Sequence, residues 1–147
     1  MISLDTNVLI YALDPGTGAK HDRAEDIVVD VAAVPGILAL QVLAEFVAVA
    51  RRKARSFETA LAYLTRVRTM FGIVAADETA LEAAIRVVSD HDLPLWDAML
   101  WATLDRAGCR MLLTEDFQDG RTLGGVTFLN PFNPANDAAI ARAMRPR

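Results

Sequence analysis

Cysteine is nearly missing from this chain: Cys109 stands alone, which excludes an internal disulfide framework and a thiolate zinc cluster. Long apolar runs are missing too. The longest predominantly apolar stretch without a charge, Val31 to Ala44, is broken by Pro35 and Gly36 and is shorter than the roughly 20 residues a bilayer requires, so no membrane span is expected. Met1 to Asp5 has no basic start leading into an apolar run, so no secretory signal is read there and a cytoplasmic location is expected. His21 and His91 have no paired ligand spacing, and both read as surface or loop residues. Positive charge is not in excess: 15 Lys and Arg against 19 Asp and Glu give a net charge of −4, so any nucleic-acid site has to be local.

What remains is an ordinary globular composition. The 147 residues are 53% hydrophobic and 23% charged, enough for one domain with a real core and unlike a disordered segment. Short apolar runs alternate with helical periodicity. Strands are expected at Met1 to Leu4, Ile37 to Leu40, Ile73 to Ala76 and Met111 to Thr114, with Val126 to Leu129 as a last edge strand. Helices are expected over Thr6 to Leu13, His21 to Val34, Gln41 to Ala54 and Phe57 to Phe71. Asp77 caps the next helix, and Asp92 with Pro94 begins a further one that runs to Gly108. This alternation predicts an α/β fold with a central, mostly parallel sheet covered by helices on both faces, formed by residues 1–134. A polar tail with one loose helical stretch fills 135–147. In such folds, sites lie beyond the carboxyl ends of the strands.

Two acids occupy that position, Asp5 after the first strand and Asp116 after the fourth. Two more lie on apolar helix stripes. Asp97 has Leu93, Leu100, Trp101 and Leu104 at helical spacing, and Glu45 has Leu38, Val42, Ala48 and Val49. Burying ionised carboxylates together is costly without compensating charge, and no Lys or Arg lies on either stripe close to these acids. A divalent cation is the natural compensation. Oxygen ligands without Cys or His favour Mg²⁺ or Mn²⁺, which keep positions for water and substrate phosphate oxygens. Each acid alone has an ordinary structural reading, as cap, turn former or partner of buried backbone; the four together point to phosphodiester hydrolysis.

Four segments in order, Leu4-Asp5-Thr6-Asn7-Val8-Leu9, Leu40 to Phe46 around Glu45, Leu95-Trp96-Asp97-Ala98 and Leu113-Thr114-Glu115-Asp116-Phe117, resemble the successive motifs of PIN-domain nucleases. The closing Gln118-Asp119-Gly120 and Asn130-Pro131-Phe132 are similar to the end of the VapC-type toxin branch. The resemblance implies a three-layer α/β/α fold and a Mg²⁺- or Mn²⁺-dependent endoribonuclease. Its metal-binding, catalytic centre would be Asp5, Glu45, Asp97 and Asp116. It also implies a homodimer and a cognate antitoxin that blocks the site of this RNA-cleaving toxin. Thr114 resembles the family's hydroxyl residue beside the last acid, Thr6 and Asn7 are expected to order the first turn, and Asp119 either joins the metal cluster through water or forms a turn before Gly120.

Other features read as structural. Arg51, Arg52, Lys53 and Arg55 suit a solvated helix end better than an RNA contact. Trp96 beside Asp97 could stack on a base, but aromatic residues at helical spacing are usually packing, so both Trp96 and Trp101 are assigned to the core. Cys109 reads as a small buried residue. A haloacid-dehalogenase phosphatase would need a second acid where Asn7 stands. A catalytically silent binding module would lack one of the four acids. A processing nuclease or a DNA-cleaving one stays open as an alternative.

Overall fold

The computed structural model describes residues 1–145. Three short apolar strands form its centre: β1 (Ile2–Leu4), β2 (Gly36–Ala39) and β4 (Met111–Leu113). Leu4, Leu38, Leu112 and Leu113 are wholly buried, as strands covered on both faces require. Gly36 opens β2 because nothing larger fits: a Cβ there would stand 2.8 Å from the carbonyl oxygen of Val31 and 2.8 Å from the Phe71 ring. β3 (Gly72–Val74), β5 (Thr122–Leu123) and β6 (Val126–Leu129) complete one sheet in the order β3-β2-β1-β4-β6-β5. All neighbours are parallel except β5 and β6.

From β1 the chain passes through α1 (Thr6–Leu13) and α2 (Ala19–Ala32) to β2, then through α3 (Leu40–Lys53) and α4 (Phe57–Met70) to β3. It then returns through α5 (Glu78–His91) and α6 (Leu95–Arg106) to β4 on the other side of β1. Crossovers between parallel strands are right-handed, so reversing the direction of travel puts α5 and α6 on the face opposite α1 to α4. The result is the expected three-layer α/β/α arrangement. It also makes the carboxyl ends of β1 and its two neighbours a switch point, where a crevice opens.

Local chemistry starts the helices. Asp5 accepts from the Thr6 amide at 2.7 Å, Ser56 from the Thr59 amide at 3.2 Å, and Asp77 from the Ala80 amide at 2.8 Å. Asp92 ends α5 instead of beginning α6: it sits in the left-handed region with φ of 53°, and Pro94 is the residue before α6. β6 is not the edge. Gly124, also at positive φ, closes a two-residue turn that folds β5 back on β6, so β5 takes the rim. Among the described residues no helix is long and apolar enough to cross a membrane.

The described part of the expected loose tail, 135–145, is instead docked, and 146–147 lie outside the described residues. Pro134–Asn136 forms one 3₁₀ turn, α7 (Asp137–Ala143) follows, and Ile140 is buried within the main core. Arg23 of α2 fastens the approach, donating to the Pro131 carbonyl at 3.0 Å and to Asp137 at 2.7 Å. Ile140→Ala is therefore expected to lower unfolding free energy by about 2–4 kcal/mol. Arg142→Ala on the exposed side of the same helix should stay within about 0.5 kcal/mol. Urea denaturation of both variants checks this, and an Ile140→Ala protein as stable as the wild type contradicts it.

Candidate active site

Asp5 leaves the carboxyl end of β1 and is the most deeply buried of the four acids, 5% exposed. Its amide extends the β1–β4 ladder to the Leu113 carbonyl at 3.0 Å, which fixes where its side chain starts. One carboxylate oxygen accepts from the Thr6 amide, and the other accepts from the Thr114 hydroxyl at 2.6 Å. Thr114 follows β4 and is itself buried, with its amide on the Leu129 carbonyl; its hydroxyl also accepts from the Asp116 amide at 3.1 Å. One threonine hydroxyl thus links the acids at the ends of two adjacent strands.

The residues after Asp5 reach across the crevice. The Thr6 hydroxyl donates to Glu45 Oε2 at 3.0 Å, and Asn7 Nδ2 donates to Asp116 Oδ2 at 2.7 Å. Both had been expected to order the first turn; the first helical turn instead aims their side chains at two other acids. Glu45, in α3, has its second oxygen on Gln41 Nε2 at 2.7 Å. The same Gln41 nitrogen donates to the Trp96 carbonyl at 2.9 Å, which ties α3 to the first turn of α6 and so to Asp97. Asp97 accepts no hydrogen bond from any described side chain.

The structure brings all four acids to this end of the sheet and buries them unequally. Glu45 and Asp97 are half-buried and Asp116 is exposed, so the two helical acids stand at the partly open end of the sheet and are not enclosed in the core. Burial, with added repulsion from Asp116 and Glu45, pushes the Asp5 carboxyl up to about 6. Burial followed by repulsion from Asp116 and Glu45 raises Asp97, and burial with repulsion from Glu115 and Glu45 raises Asp116. None of the four pairs with a Lys, Arg or His among the described residues.

This donor set fits a hard divalent cation. It offers only oxygen ligands, it is electrostatically unbalanced, and every fixed hydrogen bond comes from a neutral amide or hydroxyl donor. Among the described residues no three ligating side chains already converge in ligand geometry, so binding would draw the carboxylates inward from these donors.

Several residues beside the site escaped the sequence reading. Tyr11 and Lys20 both bind Glu115, Tyr11 through its hydroxyl and Lys20 by an ion pair at 2.7 Å. The Lys20 ammonium lies 4.6 Å from the centre of the Tyr11 ring and 5.2 Å from that of Phe132. These contacts hold the loop that carries Asp116. The lysine on an acid-bearing loop's other side has no periodic signal, because α2 and the β4 loop meet only in the folded chain. Gln41, one helical turn before Glu45, was legible by spacing.

The remaining candidates divide. Asp119 takes the turn role: its carboxylate accepts from the Asn130 amide at 2.9 Å and from the Asn133 and Asn136 side chains at 2.8 Å each. Trp101 is buried, but Trp96 is 66% exposed, which overturns its assignment to the core. Arg51, Arg52 and Lys53 end α3 in solvent, with Arg51 over the Phe57 ring. His21 lies on α2, half-buried, with Nδ1 2.9 Å from the Tyr11 carbonyl oxygen, while His91 is exposed at the end of α5. Cys109 is buried as expected.

A family model described as the PIN domain matches residues 2–118. No curated protein matches the chain by sequence. Solved structures do. The Mycobacterium tuberculosis toxin VapC20, described as cleaving the sarcin-ricin loop, aligns at a TM-score of 0.66 and 20% identity over 79% of this chain and 92% of that one. A toxin-antitoxin complex from Klebsiella pneumoniae aligns at 0.65 and 20% identity over 90% of this chain and 98% of that one. FitAcB from Neisseria gonorrhoeae aligns at 0.65 and 19% identity over 90% and 99%. At these identities the likeness is one of fold.

The raised acids set a pH dependence. Between its ordinary 3.8 and about 6, Asp5 holds more proton in the folded chain than in the unfolded one. Its contribution to stability is therefore full at low pH and lost as pH rises through that interval. Asp97 and Asp116 act in the same direction, whereas Glu115 and Asp119, held low by their donors, titrate beneath it. Chelator-treated protein should lose about 3 kcal/mol from Asp5 as pH rises from about 4 to about 7. Asp5→Asn should flatten most of that loss. Urea midpoints across the interval read it, and wild-type stability that rises there contradicts it.

Proposed function

Because the chain belongs to the PIN-domain family, we propose that it is a Mg²⁺- or Mn²⁺-dependent endoribonuclease and the toxin of a type II toxin–antitoxin pair. The observation that carries this reading is the gathering of Asp5, Glu45, Asp97 and Asp116, from four separate segments, at one end of the sheet with no cation paired to any of them among the described residues. A structural ion-pair network would have brought its own positive charge. RNA is chosen over DNA on the motif resemblance and on the sarcin-ricin loop cleavage described for one toxin of the same fold. A homodimer held in check by a small antitoxin, acting in the cytoplasm, completes the proposal.

The chain's own residues divide the work. Asp5, Glu45, Asp97 and Asp116 would hold the cation, which supplies Lewis-acid charge against the negative charge that grows on the phosphate oxygens. Thr114 and the Thr6 amide keep Asp5 ionised and aimed into the crevice despite its burial, since hydrogen bonds to a carboxylate favour its charged form. Thr6 and Gln41 fix Glu45, and Asn7 fixes Asp116. Asp97, the acid without a hydrogen bond and with a raised pKa, is suited to take the proton from the attacking water at a carboxylate oxygen. No acid needs to attack phosphorus itself.

Purified protein incubated with defined RNAs and matching single-stranded DNAs is expected to cleave RNA with Mg²⁺ or Mn²⁺ and to stop on chelation. Asp5→Ala and Asp97→Ala should each slow cleavage by about 100-fold or more. Thr114→Val, which only unfixes Asp5, should slow it by about 10- to 100-fold. Full activity in both acid variants contradicts the assignment. Cleavage of DNA alone favours the DNA-cleaving alternative, and unimpaired growth of cells expressing the active protein favours a processing role.

A further inference from the structure

Trp96 leaves most of its ring in solvent at the rim of the acidic crevice, where a folded chain forgoes the burial that a tryptophan normally gains. It is the only aromatic side chain among the large exposed hydrophobic residues of the described chain. Trp101, farther along the same helix, shows the contrast: it is buried, with its indole nitrogen donating to the Leu123 carbonyl at 2.9 Å. Trp96 is also not loosely placed. Its Cα is about 3.8 Å from that of Asp97. Its carbonyl accepts from Gln41, whose same nitrogen donates to Glu45, so the backbone that carries the indole is tied to Glu45 and adjoins Asp97. Leu40 and Leu95, the first residues of α3 and α6, are exposed beside this junction.

Apart from the proposed cation, the crevice offers a polyanion no paired positive charge among the described residues. Four carboxylates line it, and the whole chain carries a net charge of −4. Affinity for a nucleic-acid strand then has to draw on contacts that charge repulsion does not weaken, and stacking of a base on an aromatic ring is the strongest of these. Only an unpaired base offers its face; in a duplex the faces are already stacked.

We propose that Trp96, flanked by Leu40 and Leu95, is the platform on which an unpaired base beside the scissile phosphate stacks, and that it makes the enzyme select single-stranded RNA. This rests on the RNA-cleaving reading above, while the stacking itself can be read without any cleavage.

In the Asp5→Asn protein with Mg²⁺ present, a single-stranded RNA oligonucleotide should quench tryptophan emission saturably. The same RNA annealed to its complement should not, nor should an oligonucleotide with abasic positions. Asp5→Asn with Trp96→Phe, left with buried Trp101 alone, should lose the response. In the otherwise wild-type enzyme, Trp96→Ala should raise KM and lower kcat/KM for single-stranded RNA by about ten-fold or more with an unchanged melting temperature, and Trp96→Phe should recover most of it. Emission that ignores single-stranded RNA overturns the proposal, as does a Trp96→Ala enzyme within twofold of wild type. Emission that follows protein concentration, not RNA, also overturns it, since the indole is then covered by a second copy. An enzyme that cleaves RNA normally with Trp96→Ala refutes the stacking platform alone, whereas a wild type that cleaves no RNA refutes the nuclease reading.

Discussion

Mutual repulsion among four carboxylates is the constraint around which this chain is arranged. Like charges brought to one crevice, one of them nearly buried, oppose folding unless something answers them. The chain answers only in part. Neutral donors, Thr6, Asn7, Gln41 and Thr114, take up single oxygens of Asp5, Glu45 and Asp116 and fix where they point. They hold geometry without cancelling charge, and burial, with the repulsion that stays uncancelled added to it, raises the carboxyls of Asp5, Asp97 and Asp116.

The sheet makes this gathering possible. Asp5 and Asp116 are positioned by adjacent parallel strands, so the backbone ladder sets their separation before any side chain chooses a rotamer. Glu45 and Asp97 come from helices on opposite faces, and Gln41 joins them across the top of the sheet. Lys20 is held by Glu115, where it steadies the loop and lowers Asp116 only through its charge. That contact keeps the Lys20 charge on the loop and away from the four acids, which leaves room among them for the proposed cation.

Most of this architecture was legible in the sequence because it rests on periodicity and on punctuation by caps and glycines. The central strands and all six large helices fall within a few residues of their expected bounds. Apart from Asp92, whose left-handed cap is local, the misses depend on what lies across the fold. β5 is two residues long, too short for a pattern, and is a strand only because β6 offers it an edge. Ile140 looks like one apolar residue in a polar tail until the core is there to receive it. Trp96 has the spacing of a packed residue, yet it falls in the first turn of α6, where the helix end projects past the sheet and nothing covers it. Thr6 and Asn7 read as local caps because their partners lie far along the chain.

Calorimetric titration of Mn²⁺ into the metal-free protein near pH 7 tests most directly whether the carboxylates are held together by a shared cation. Saturable binding is predicted, with loss of the signal in Asp5→Asn and Asp97→Asn proteins of unchanged fold. Heat no different from dilution in the wild type, or equal binding by wild type and both variants, contradicts it.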